Sequence, residues 1–131
     1  IQMFKDAGGE DHIVLNGPDE QLVSGLAIGA DGGIGGTYGV MPEIYMEIFR
    51  AFREGDVARA QAIQNEACRI IYALCGCHGN MYAVIKEVME QREGIKLGSV
   101  RKPLAALIQE DMPKIREIVR MVDETVGRYC N

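Results

Sequence analysis

The chain has 131 residues, 47% hydrophobic and 25% charged, which is enough to build one compact soluble domain. Fourteen basic residues against nineteen acidic ones leave a formal charge of −5, which repels phosphate backbones, and no basic stripe interleaved with aromatics is present, so nucleic acid is excluded as a partner. No apolar run approaches the roughly 20 residues that span a bilayer and no secretory leader is read, so no membrane role is expected and the cytoplasm is the expected compartment.

Ile1 is not an initiator methionine, and residues 2–7 read as the tail of a helix broken by Gly8-Gly9, so the chain is expected to enter in mid-domain. His12-Ile13-Val14-Leu15-Asn16 is short, apolar, rich in β-branched residues and closed by Gly17-Pro18, the pattern of a buried parallel strand. Asp19 then stands where a helix N-cap belongs. Leu22, Val23, Leu26 and Ala27 follow at helical spacing, and Gly29 ends the segment. Residues 32–36 hold four glycines in five positions and have almost no intrinsic β preference. Their context assigns them as a second strand, in which glycine marks close approach by another backbone or a ligand. Pro42 opens the next helix, with Ile44, Tyr45, Ile48, Phe49 and Phe52 turned inward and Gly55 as its stop.

After Gly55 the pattern becomes wholly helical. Asp56 caps a long helix whose stripe is Val57, Ala60, Ile63, Ala67, Ile70, Ile71 and Leu74, and residues 80–91 form another through Val84, Ile85 and Val88. A connection containing glycine and proline, residues 94–103, leads to a last helix starting at Asp111, with Ile115, Ile118, Val119, Val122 and Val126 on one face. The expected class is α/β, two βα units followed by a helical tail. Two parallel strands leave unpaired edges and an apolar face, so further strands from a longer polypeptide or another chain are expected to cover them.

The chemistry-bearing residues are few. Gly33 and Gly35 have the spacing of a dinucleotide loop, but Tyr38 stands where its third glycine belongs, and no Gly-Lys-Ser/Thr follows. The block is either a tightly packed strand or a pocket lined by exposed backbone groups. Cys68, Cys75, Cys77 and His78 lack the paired spacing of a zinc site, and Cys68 and Cys75 are read as small hydrophobes on one helical face, so no metal is expected. No nucleophile elbow surrounds Ser24 or Ser99. Lys5, Lys86 and Lys114 on amphipathic helices and Lys96 and Lys102 in the connection are read as facing solvent, away from the desolvated setting that a Schiff-base lysine needs. Asp19 and Glu20 are adjacent carboxylates at a strand end. Helix capping accounts for them without any function, while their lone pairs also suit the row of donors that a polyol presents.

The segments Asn16-Gly17-Pro18-Asp19-Glu20, Gly29-Ala30-Asp31-Gly32-Gly33-Ile34-Gly35-Gly36-Thr37-Tyr38, Gly55-Asp56 with Ala60-Gln61, and Arg101-Lys102-Pro103 together resemble the C-terminal part of the N-acetylneuraminate lyases, which belong with dihydrodipicolinate synthase among the Schiff-base aldolases. The resemblance implies the C-terminal part of a (β/α)8 TIM barrel. On that reading residues 1–55 hold the end of helix six and βα units seven and eight, and residues 56–131 form a C-terminal helical extension. It implies reversible aldol cleavage of a sialic acid, or a related 2-oxo sugar acid, to pyruvate and an aldehyde sugar, with no metal or organic cofactor. Gly17, Asp19 and Glu20 match the residues that contact the sugar's polyhydroxyl end, and Ile34 matches a residue beside the pyruvate-derived part. Gly36 and Gly39 stand where the family has a sugar-contacting serine and an asparagine, which leaves the substrate open between sialic acid and another sugar acid. The family's Schiff-base lysine and its tyrosine precede the region that Ile1 begins, so the chain alone is expected to be inactive. The partners implied are a sugar-acid substrate or pyruvate, and either a homo-oligomer or the N-terminal half of the barrel. The competing expectation is a non-catalytic oligomerisation or ligand-binding module derived from a truncated barrel; a dihydrodipicolinate synthase-like lyase with another substrate is the third.

Overall fold

Apolar spacing translates directly into helices in the computed structural model, which describes residues 1–130. The chain divides into two compact units, Ile1–Cys68 and Arg69–Asn131. In the first, helix α1 (Gln2–Gly8) precedes strand β1 (Leu15–Asn16), a 3-10 turn (Asp19–Gln21) and α2 (Leu22–Ala27). Strand β2 (Gly32–Gly33), a second 3-10 turn (Gly36–Gly39), α3 (Pro42–Arg53) and the start of α4 (Val57–Cys75) complete it. The second unit holds the end of α4, then α5 (Met81–Glu93), a third 3-10 turn (Gln109–Asp111) and α6 (Met112–Tyr129), which packs on α5. Among the described residues no helix is long and apolar enough to cross a membrane.

The two strands pair in parallel, Leu15 opposite Gly32 and Asn16 opposite Gly33, and α2 lies against both of them and against α3. Both strands are shorter than the sequence pattern implies. The first pairs only through Leu15 and Asn16, with the flanking bonds Asp31 N–H to Val14 O and Ile34 N–H to Asn16 O at 2.8 and 2.9 Å. The second stops at Gly33, because the chain turns at Gly36 into a 3-10 helix. Nor is β1 buried on both faces: Asn16 is buried, but Leu15, with Ile13 before β1 and Ile34 after β2, is exposed (43%, 79% and 64%), an uncovered apolar surface on a two-stranded sheet.

The core of the first unit is Leu22, Val23, Leu26, Val40, Met41, Ile44, Tyr45, Ile48, Ala60, Ile63 and Ala67. Ala27 and Val57 are exposed and Phe49 and Phe52 half-buried, so the stripes of α2, α3 and α4 are narrower than their spacing allows. Proline at the start of α3, with Glu43 in its first turn and Arg50 and Arg53 in its last, suits the helix dipole. On the same helix the nearly buried Glu47 carboxylate accepts from Arg50 at 2.6 Å and Arg59 at 2.8 Å. Arg50 first, and Arg59 after it, hold Glu47 below the usual carboxylate range against the penalty of burial.

In the second unit Ile70, Ile71, Leu74, Ala83, Val84, Ile85, Val88, Ile115, Ile118 and Val122 are buried. Asp111 lies at the head of α6, as the cap signal indicates, but its side chain does not cap that helix. Fully buried, it accepts from the N–H groups of His78, Gly79 and Ile108 at 2.7, 3.0 and 3.1 Å, and His78 Nδ1 lies 3.1 Å away. Burial by itself pushes the Asp111 carboxyl up; the N–H groups of His78, Ile108 and Gly79, with the His78 ring, outweigh it and bring the group from 3.8 to about 2. A folded-state value below the unfolded one means that the carboxylate's stabilising effect is complete above pH about 4 and is lost as the pH falls toward 2. Asp111→Asn is therefore expected to flatten the pH dependence of urea unfolding between about pH 4 and 2 while lowering stability at neutral pH; an unchanged acid limb contradicts this.

Candidate functional site

The carboxyl ends of the two strands lie side by side, so the segments leaving them, residues 17–20 and 34–37, converge. At such a junction strand ends, glycine turns and helix starts present backbone groups to a ligand. Asn16, 2% exposed, steadies the first segment: its Nδ2 donates to Pro18 O at 2.7 Å. Its side chain fills the space that a Cβ on Gly25 would need, which lets α2 come close to the strand.

Asp19, 9% exposed, begins the first 3-10 turn, and its side chain is not used as a cap. Its Oδ2 accepts from the Thr37 N–H at 2.7 Å and from Thr37 Oγ1 at 2.5 Å, clasping one strand-end segment to the other. Thr37 Oγ1 has a single proton, which goes to the carboxylate, so Tyr45 Oη, 2.6 Å away, donates to Thr37. Burial pushes the Tyr45 phenol well above its ordinary range, keeping it a donor. Gly35 makes the clasp possible, because a Cβ there would sit 1.5 Å from Asp19 Oδ1.

The Asp19 backbone is held separately. Gln64 of α4, 6% exposed, donates from Nε2 to Asp19 O at 3.1 Å and accepts the Val23 N–H on Oε1 at 3.2 Å. Its amide thus occupies the place of the ordinary i to i−4 bond between Val23 and Asp19, which separates the 3-10 turn from α2. Cys68 Sγ lies 3.6 Å from Glu20 O.

Around this clasp Gly17 and Glu20 are exposed, Ile34 is 64% exposed and Gly36 is half-buried at the start of the second 3-10 turn. All five residues singled out from sequence therefore lie on the two converging segments. Thr37, Tyr45, Gly35 and Gln64 are not among the site residues singled out from sequence, Tyr45 being expected only in the core and Gly35 only in a close-packed glycine block. Thr37 stands inside a recognised motif, yet nothing local marks it as the partner of a residue 18 positions earlier. A cavity of about 340 Å³ borders Gly33, Tyr38, Tyr45, Met46 and Phe49. Tyr38 stacks on Tyr45 with ring centroids 3.9 Å apart, and its buried hydroxyl has no hydrogen-bond partner among the described residues. Burial first, and the Asp19 charge second, push the Tyr38 phenol up to about 12.

Lys96, Lys102 and Lys114 are exposed, as expected, whereas Lys5 and Lys86 are half-buried and held by partners. Lys5 Nζ is bound to His12 O at 2.9 Å and to both Asp31 oxygens at 2.9 and 3.0 Å, and Lys86 donates to Ser99 O at 3.0 Å. Each lies where a loop carbonyl comes within reach of a long side chain. The Val14 N–H first, and Lys5 second, hold Asp31 below its usual range. Cys68 and Cys75, just under two turns apart, lie on nearly the same side of α4, but Cys68 is half-buried and Cys75, at the helix end, is exposed, so that side is not a buried apolar face; α4 buries Ala67, Ile71 and Leu74 instead.

Parallel strands that each lead through a short turn into a helix, with polar groups gathered at their carboxyl ends, define an α/β protein built from βα units. The family model of the dihydrodipicolinate synthetase family matches residues 1–122, and the chain belongs to that family. It is 51% identical over 129 residues to the N-acetylneuraminate lyase of Mediterraneibacter gnavus, covering 98% of this chain and 41% of that protein. Against the N-acetylneuraminate lyase of Salmonella agona it is 37% identical over 114 residues, covering 87% of this chain and 38% of the relative. Among solved structures, the wild-type sialic acid aldolase of Ruminococcus gnavus superimposes with TM-score 0.96 at 48% identity, covering 98% of this chain and 43% of that one. The chain thus spans about two fifths of the length of these relatives.

Proposed function

We propose that this chain is the C-terminal, substrate-binding portion of an N-acetylneuraminate lyase-like Schiff-base aldolase, which cleaves a sialic acid or related 2-oxo sugar acid reversibly to pyruvate and an aldehyde sugar. The observation that carries the reading is the Asp19 clasp at the carboxyl ends of β1 and β2, with Gly17, Glu20, Ile34 and Gly36 around it, in a chain 51% identical to an N-acetylneuraminate lyase. Carboxylate and backbone acceptors so placed suit the hydroxyl donors of the sugar's polyol end.

On this reading residues 1–55 contribute the end of helix six and βα units seven and eight, and residues 56–131 the helical extension. The iminium-forming lysine and the proton-relaying tyrosine come from polypeptide outside residues 1–131, and the chain alone is inactive. Lys5 supports this assignment, since its Nζ is taken up by both Asp31 oxygens and the His12 carbonyl rather than standing in the apolar setting that a Schiff-base lysine needs. The exposed Ile13, Leu15 and Ile34 fit burial by further strands of the barrel. The same surface also fits a second reading, a non-catalytic module that self-associates. Gly36 removes a serine that the lyases offer the sugar, and Gly39 stands in place of their usual asparagine, so a different sugar acid remains within the proposal.

A chimera tests the proposal. Residues 1–131 are exchanged for the segment of the Mediterraneibacter gnavus lyase that they match, and pyruvate release from N-acetylneuraminate is followed. Activity is expected, together with its loss in the Asp19→Ala chimera. A chimera with the relative's circular dichroism and melting behaviour that releases no pyruvate from any sialic or related sugar acid overturns the aldolase reading and favours the binding module.

A further inference from the structure

We propose that Thr37 is a positioning residue for sugar recognition: it locks the Asp19 carboxylate so that one oxygen is committed to the protein and the other is kept for substrate, with Tyr45 setting the direction of the threonine proton. The inference rests on the aldolase reading and adds to it a residue that touches no substrate.

A carboxylate on a loop rotates and offers its two oxygens to several partners, and a ligand that selects one arrangement must pay for the ordering. Here the ordering is already done. Oδ2 receives two donors from one residue, the Thr37 N–H at 2.7 Å and its hydroxyl at 2.5 Å, so rotation breaks both bonds together. The hydroxyl cannot turn elsewhere, because Tyr45 Oη donates to it from 2.6 Å and leaves its own proton only the carboxylate. Asp19 Oδ1 accepts nothing from the described residues and is open to the surface, in the notch left by the missing side chain of Gly35. The two strand-end segments supply the parts separately, Asp19 after β1 and Thr37 after β2, so the clasp forms only when the strands are in register. Oδ1 is left to accept a sugar hydroxyl with its direction set in advance.

A positioning role at the polyhydroxyl end acts on ground-state and transition-state binding alike, since the bond broken lies at the other end of the substrate. In the active chimera, Thr37→Val, which keeps the backbone N–H but removes the hydroxyl, is expected to raise KM for N-acetylneuraminate about tenfold with kcat within about twofold. Thr37→Ser is expected to restore the parent KM. In the reverse direction KM should rise for N-acetylmannosamine and stay unchanged for pyruvate, a division that general loosening of the fold does not produce. Should Thr37→Val fail to accumulate as folded protein, Tyr45→Phe carries the test, with a rise of about threefold in the same KM alone as the charge-assisted bond loses its backing donor. An inactive parent chimera overturns the aldolase reading and this inference with it. An active parent whose Thr37→Val or Tyr45→Phe variant keeps its sugar KM, or loses pyruvate KM and kcat equally, overturns this inference alone.

Discussion

Gly35→Ala is expected to destabilise the protein by about 2–4 kcal/mol, combining overpacking with the loss of hydrogen bonds to a carboxylate. Gly35 has φ of −173°, extended backbone that alanine adopts freely, so no backbone strain is involved. With the backbone at ease, exchanging glycine for alanine ordinarily stabilises by a few tenths to 1 kcal/mol through the unfolded chain. Here the new methyl would lie 1.5 Å from Asp19 Oδ1 and 2.5 Å from Cγ. Aspartate is too short to swing clear without giving up both bonds to Thr37, so the clasp opens. A double-mutant cycle isolates the collision: in the Asp19→Ala background the same substitution is expected to be neutral or slightly stabilising, giving a coupling of about 2 kcal/mol or more in urea unfolding. A substitution that costs the same with and without Asp19 refutes the socket.

Gln64→Leu is expected to cost a further, independent 2–4 kcal/mol or so, because it leaves two buried backbone groups without partners. Leucine has nearly the same volume, so packing changes little, but the Val23 N–H and the Asp19 carbonyl each lose the amide that bridges them. Gln64→Glu is expected to be comparably harmful, since a carboxylate accepts from Val23 but has no N–H for the carbonyl. Hydrogen exchange reports the change locally: the Val23 amide should lose protection well before the amides of α3. If Val23 stays protected, the chain has closed the ordinary helical bond at that place and Gln64 is dispensable.

These expectations concern residues that local sequence does not distinguish. Asp19 and Asp111 show why. Each carries the full signature of a helix start, an aspartate just ahead of an apolar periodic run, and each stands at or within a residue of the helical turn that it announces. In neither does the carboxylate cap the α-helix that follows; Asp19 accepts instead from Thr37, 18 residues on, and Asp111 from His78 and Gly79, more than 30 residues back, besides the Ile108 N–H of its own 3-10 turn. Asp56, with the same signature, is used as a cap, accepting the Arg59 N–H at 3.0 Å. Three like signals have two fates, because a carboxylate bonds the nearest well-aimed donors and only the fold decides which those are. Similarly, the glycine block announces close approach without saying to what. Tyr38 lies against Gly33 and Asp19 against Gly35, both side chains of this chain.

What the sequence by itself determined is the order of elements, most of the helical faces, the stops at Gly29 and Gly55, and the family, since these rest on periodicity, on glycines free to take left-handed φ, as Gly29 (97°) and Gly55 (85°) do, and on motif order. Tertiary structure alone decided the extent of the strands, the destination of each buried carboxylate and the insertion of Gln64 into the turn after β1. Each of those depends on a donor, an acceptor or an empty notch brought within 3 Å or so by packing, over separations at which the chain carries no local record of the pairing.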